Sequence, residues 1–120
     1  MSFANAVLIS DLHLTASMPR TAQRFFDFTE NEARQYGALI ILGDLFEYWV
    51  GDDAKAHSPF HHQVAQKIAA VADAGIPVFF MHGNRDFLLG ETFAKKAKMT
   101  LLRDPQVMTI ANESWVLSHG

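Results

Sequence analysis

Three apolar runs, each ending in residues able to bind a metal, limit the fold this chain can adopt. The clearest is Ala38-Leu39-Ile40-Ile41-Leu42-Gly43-Asp44, which stops at a glycine and delivers one carboxylate at its end. Runs without polar alternation suit strands buried on both faces of a parallel sheet. Such sheets place their ligands beyond the carboxyl ends of the strands. The pattern returns at Ala6-Val7-Leu8-Ile9-Ser10, followed by Asp11-Leu12-His13. It returns again at Ile76-Pro77-Val78-Phe79-Phe80-Met81, followed by His82-Gly83-Asn84-Arg85-Asp86. The expected class is α/β.

The segments between these runs read as helical crossovers. Ser17 is placed to cap a helix and Pro19 suits its first turn. Phe25, Phe28, Thr29, Ala33 and Tyr36 recur at helical spacing, and Gly37 stands where the helix would end. Ser58-Pro59 repeats the start, Val64, Ile68, Val71 and Ala72 form the stripe, and Gly75 with Pro77 ends it. Two strand–helix–strand units result, with right-handed crossovers expected. The run from Leu45 to Asp53 is apolar and aromatic without a clean period. It reads either as a packed loop or as a wall of the site's mouth. A short helix is expected over 91–98, with Lys95, Lys96 and Lys98 near its end, where the helix dipole favours them. Residues 106–110 and 114–118 read as a hairpin. The second of these strands ends in His119-Gly120.

Bulk composition narrows the classes. At 120 residues the chain supports one domain with one core. A formal net charge of -3 argues against wrapping nucleic acid by bulk electrostatics, so no nucleic-acid partner is expected. The chain has no cysteine, which excludes disulfides and thiolate metal sites. No basic leader followed by an apolar stretch is visible, and no apolar run reaches membrane-spanning length. A cytoplasmic protein is the expectation.

The strand ends carry the chemistry. Asp11 and His13 are one residue apart, so in an extended chain both side chains leave on the same side. Asp44 arrives from a neighbouring strand and has two oxygens with which to bridge ions. Asn84 offers an amide oxygen and His119 a further imidazole. Singly, each has an ordinary explanation: a turn cap, a polar strand end, a surface histidine. Together, an oxygen and nitrogen donor set without sulfur suits Mn²⁺, Zn²⁺ or Fe²⁺. Two such ions about 3.5–4 Å apart acidify a shared water and clamp a phosphoryl oxygen for in-line attack. His57, His61 and His62 read as a solvated cap of the second helix, and His82 as packed or bonded to backbone.

Asp11-x-His13, Gly43-Asp44, Gly83-Asn84 and His119-Gly120 resemble the first four motif blocks of the calcineurin-like metallophosphoesterases. Three longer runs narrow the resemblance: Ile41-Leu42-Gly43-Asp44-Leu45-Phe46-Glu47, Trp49-Val50-Gly51-Asp52-Asp53 and His82-Gly83-Asn84-Arg85-Asp86-Phe87-Leu88-Leu89-Gly90. They are similar to the branch that cleaves the pyrophosphate bond of UDP-2,3-diacylglucosamine in bacterial lipid A synthesis. The resemblance implies an αββα metallophosphoesterase sandwich and Mn²⁺-dependent hydrolysis to UMP and 2,3-diacylglucosamine 1-phosphate. It implies that Asp11, His13 and Asp44 hold one ion, and that Asp44, Asn84 and His119 hold the other. Asn84 and Arg85 would contact substrate phosphate. The implied partner is a lipid-linked UDP-sugar, and the implied location is the inner face of the bacterial inner membrane, as a peripheral protein. The resemblance leaves the oligomeric state open.

Arg85 bears on the chemistry. Many relatives have a histidine here that protonates a leaving alkoxide, whereas arginine stays charged and cannot act as a general acid. A sugar-phosphate leaving group departs as a stable anion and needs no proton. Arg85 can instead hold phosphoryl oxygens bidentately, which suits cleavage of an anhydride. A surface ion pair with Asp86 is the alternative. The family also ends its site with a Gly-His-x-His block that gives each ion another histidine. Residues 1–120 lack it, so they are read as the N-terminal part of the domain. Two alternatives stand beside this reading. One is hydrolysis of another phosphodiester or nucleotide pyrophosphate, and the other is a non-catalytic portion of the fold.

Overall fold

The computed structural model describes residues 2–47, 59–82 and 90–118. In chain order it contains β1 (Ser2–Phe3), β2 (Val7–Ile9), α1 (Pro19–Glu30), β3 (Leu39–Leu42) and α2 (Pro59–Asp73). Then follow β4 (Val78–Met81), α3 (Glu91–Lys96), β5 (Met99–Leu101), β6 (Gln106–Ile110) and β7 (Glu113–Leu117).

The three expected strands join a fourth in one parallel sheet of order β2-β3-β4-β5. Sequence order matches spatial order, so successive right-handed crossovers lay all three helices on one face. The central strands send alternate side chains to two separate cores. Leu39, Ile41, Val78 and Phe80 pack under the helices with Phe25, Phe26, Val64, Ile68 and Phe93. Ile40, Phe79 and Met81 point the other way and meet Met108, Ile110 and Leu117. Those residues belong to a second sheet of order β1-β6-β7, and Phe3 sets its ring edge-on to Phe79 at 5.5 Å. Helices, parallel sheet and second sheet are thus stacked as three layers of a mixed α/β fold. Burial on both faces explains why β3 and β4 read as unbroken apolar runs.

Several expectations are corrected. The β2 strand is not buried on both faces: among the described residues it is the margin of its sheet, and Leu8 is 41% exposed. Ser17 does not cap α1; the N-cap is Met18, without a side-chain bond, and Ser17 pairs with Thr15 instead. Nor does Gly37 end that helix. It stops at Glu30, where the Asn31 side chain donates to the Asp27 carbonyl at 2.9 Å and Arg34 Nε to that of Thr29 at 3.1 Å. A 3-10 turn, Glu32–Gln35, then continues the chain. Gly37 serves close approach: its N–H donates to Asn5 Oδ1 at 2.6 Å, and a Cβ there would meet the Asn5 carbonyl at 2.9 Å. Gly75 does end α2, in the left-handed region at φ +93°.

The last helix is shorter than expected. Lys95 and Lys96 lie in its final turn, while Lys98 falls beyond it and pairs with Asp73. The hairpin is present, with a turn of two residues: Ala111 and Asn112 both have positive φ, as a type I′ turn requires. On its outer side Val107 and Val116 are paired in register and exposed, at 59% and 69%. The sequence reading did not anticipate β1 or β5. Both are too short to show a period.

Candidate metal centre

The chain leaves β2 and β3 side by side, and the two loops that follow stay bonded to each other. The Asp11 N–H donates to the Gly43 carbonyl at 3.4 Å, His13 to Asp44 at 2.9 Å, and Leu14 to Leu45 at 2.8 Å. Glu47 N–H returns the contact to the Leu14 carbonyl at 3.0 Å. Leu14, Leu45 and Phe46 are buried beneath, which fastens both loops to the helical core.

Asp11, His13 and Asp44 all lie in the left-handed region, at φ 56°, 49° and 52°, and Gly43 between the strand and Asp44 has φ 83°. Each non-glycine residue held there costs about 1–3 kcal/mol and persists only where its surroundings fix it. Asp and His are among the types that tolerate the region best. The extended alternation expected for Asp11 and His13 is therefore not what aligns them. Strand β2 ends at Ile9, and the turns of the loop bring the two side chains together.

They do converge. Ligand atoms of Asp11, His13 and Asp44 all lie within 4.8 Å of one another. Two donors on opposite sides of one ion, each about 2.0–2.2 Å away, would be about 4.4 Å apart, so small side-chain rotations close the set. Asp44 is 5% exposed, and a carboxylate so enclosed needs hydrogen bonds, counter-charge or a metal. Asp11 is open to solvent and accepts from Ser10 Oγ through Oδ2 at 3.1 Å, which leaves Oδ1 facing His13 Nε2 at 3.9 Å. The cluster is closed at Asp44 and open at Asp11. A divalent cation fits this donor set.

The sequence reading quoted Glu47 in a motif but gave it no role. Its Oε2 lies 3.7 Å from His13 Nδ1, a ring nitrogen sealed from solvent and without a hydrogen-bond partner. Leu45 and Phe46 resolve part of the open question about this run: both are fully buried and serve as packing. His61 is not simply solvated, since its ring stands edge-on to Phe46 at 4.8 Å, while His62 is exposed. His82 packs against Phe80, as expected. Asn84, Arg85, His119 and His57 lie outside the described residues.

A family model described as calcineurin-like phosphoesterase matches residues 4–120. The chain belongs to that family. Calcineurin-like phosphoesterases use divalent metals, and Asp11, His13 and Asp44 form a candidate group for one. The chain is similar to proteins named UDP-2,3-diacylglucosamine hydrolase. It is 49% identical over 116 residues to that of Aromatoleum aromaticum, covering 97% of this chain and 46% of the relative. To that of Aeromonas hydrophila it is 48% identical over 116 residues, covering 97% and 47%. To that of Escherichia coli O6:H1 it is 48% identical over 114 residues, covering 95% and 47%. The chain spans about half the length of these curated relatives.

Proposed function

We propose that the chain supplies part of the dinuclear site of a hydrolase that cleaves the pyrophosphate bond of UDP-2,3-diacylglucosamine. The products are UMP and 2,3-diacylglucosamine 1-phosphate. The observation that carries this is the convergence of Asp11, His13 and Asp44 at the ends of neighbouring parallel strands. The names of the relatives support the substrate.

In this reading Asp11, His13 and Asp44 hold one ion, and Asp44, Asn84 and His119 hold the other, with Mn²⁺ as the metal. When bound, such ions withdraw charge from a phosphoryl oxygen and acidify water. The chain's own groups set where this happens. Asp44 anchors the closed side, and Asp11 leaves the open side accessible to a phosphate. Arg85 holds phosphoryl oxygens and offsets transition-state charge, because its guanidinium keeps its charge throughout. The lipid-linked substrate puts the protein at the inner face of the membrane. Peripheral contact is part of this reading; among the described residues no helix is long and apolar enough to cross a membrane.

The test is UMP release from UDP-2,3-diacylglucosamine with Mn²⁺, against hydrolysis of an aryl phosphodiester. UMP release that EDTA abolishes and Asp44→Ala removes supports the reading. Cleavage of the aryl ester without UMP release assigns another substrate. Absence of Mn²⁺ binding by the wild type assigns a non-catalytic role.

A further inference from the structure

We propose that Glu47 is a positioning residue for His13. Its carboxylate would accept the Nδ1–H, which fixes the neutral imidazole in the tautomer whose Nε2 lone pair faces Asp11. The inference rests on the metal-site reading above and adds a residue to it.

The two ring nitrogens of His13 have different surroundings. Nε2 lies on the side of the acids, 3.9 Å from Asp11 Oδ1. Nδ1 lies on the side of Glu47, is closed to solvent, and makes no hydrogen bond. Water cannot satisfy a sealed atom, so its partner must be a protein group, and Glu47 Oε2 at 3.7 Å is the acid beside it. That distance exceeds a hydrogen bond by about 0.8 Å, so the proposal requires the Glu47 carboxylate to move toward the ring by that much. The alternative tautomer would point the Nδ1 lone pair at a carboxylate oxygen, and two electron-rich atoms repel. Glu47 therefore selects Nδ1–H.

The backbone makes the contact repeatable. Leu14 follows His13 directly and accepts the Glu47 N–H at 3.0 Å, while Phe46, fully buried, fixes the residue before Glu47. A histidine that donates its second N–H to a carboxylate is held in orientation and made a more basic ligand. In this fold one backbone ladder sets both the ligand and its support.

The experiment has two readouts on ¹⁵N-labelled protein. Long-range ¹H–¹⁵N spectra of the metal-free protein at alkaline pH report the His13 tautomer. Calorimetric titration with Mn²⁺ reports affinity. The wild type is expected to show Nδ1–H. Glu47→Ala is expected to shift the population toward Nε2–H and to weaken Mn²⁺ binding about 10- to 100-fold. Glu47→Gln retains an acceptor oxygen and is expected to recover the tautomer and part of the affinity. Thermal melts verify that each variant is folded. An Nε2–H tautomer in the wild type, or a Glu47→Ala variant unchanged in both readouts, overturns the proposal. A tautomer that responds to Glu47 in a wild type that binds no Mn²⁺ supports the contact and overturns the metal-site reading instead.

Discussion

The backbone N–H of His13 donates to the carbonyl of Asp44 over 2.9 Å, and both residues are left-handed. Two candidate ligands from different strands are thus joined through their main chains, independently of any ion. Replacing Asp44 tests backbone and ligand separately. Asn tolerates the left-handed region, so Asp44→Asn should keep the wild-type melting temperature to within a few degrees. Asp44→Ala carries an added backbone cost of about 1–2 kcal/mol. Both should weaken Mn²⁺ binding by more than the roughly 10- to 100-fold typical of outer-shell changes. Calorimetric titration beside thermal melts reads both effects, and unchanged affinity in either variant means that Asp44 is not a ligand.

Two glycines should fail on substitution for opposite reasons. In Gly37→Ala the new Cβ would sit 2.9 Å from the Asn5 carbonyl, a main-chain atom that cannot swing aside. A loss of about 1–3 kcal/mol is expected, as for other overpacked sites. Gly75→Ala meets nothing within 4 Å but must hold φ +93°. Its cost of about 1–2 kcal/mol is conformational, and asparagine at that position should recover part of it. Urea unfolding of the alanine and asparagine pair at each position separates the two causes. Equal behaviour of alanine and asparagine at Gly75 would contradict the second.

Phe46 links the site loop to the helices, with its ring edge-on to Phe93 at 5.4 Å and to His61 at 4.8 Å. Phe46→Ala should cost about 3–5 kcal/mol, the range for a fully buried phenylalanine. Because Glu47 is the next residue, the same change should also raise hydrogen exchange at the amides of His13 and Glu47. Exchange confined to α2 and α3 would mean that the loop is held by something else.

The pair between Lys67 and Glu30 joins α2 to α1 at the surface, with the ammonium 5.8 Å from the centre of the Phe26 ring. Half-exposed ion pairs contribute about 0–1 kcal/mol. Lys67→Met should therefore leave the denaturation midpoint almost unchanged, since the stem still covers Phe26. A loss well above 1 kcal/mol would show that charge, not coverage, holds the two helices together.

Central strands and helices were legible because burial imposes a period or an unbroken apolar run. Leu39–Leu42 and Val78–Met81 have no polar residue because both of their faces are covered. Strand β2 was misjudged because an edge strand can be equally apolar, as Leu8 shows. The end of α1 falls earlier than Gly37 because the Asn31 and Arg34 side chains close it through local bonds to the Asp27 and Thr29 carbonyls, which the apolar spacing does not encode. At the site, the identities of Asp11, His13 and Asp44 could be read, but not the way they meet. Their left-handed backbones go with bonds between two loops distant in sequence, such as that from Leu14 N–H to the Leu45 carbonyl. Glu47 was passed over for a similar reason: its value lies in its distance from one imidazole nitrogen.

The outward pair of Val107 and Val116 also governs how the protein behaves when concentrated. Val116 stands on β7, which forms the margin of its sheet among the described residues. A margin of this kind offers free main-chain groups and an adhesive surface together. Light scattering should rise with protein concentration for that reason, and Val116→Lys should suppress the rise without altering Mn²⁺ affinity. Solubility and metal chemistry are then separable properties, located on different sheets of the same small fold.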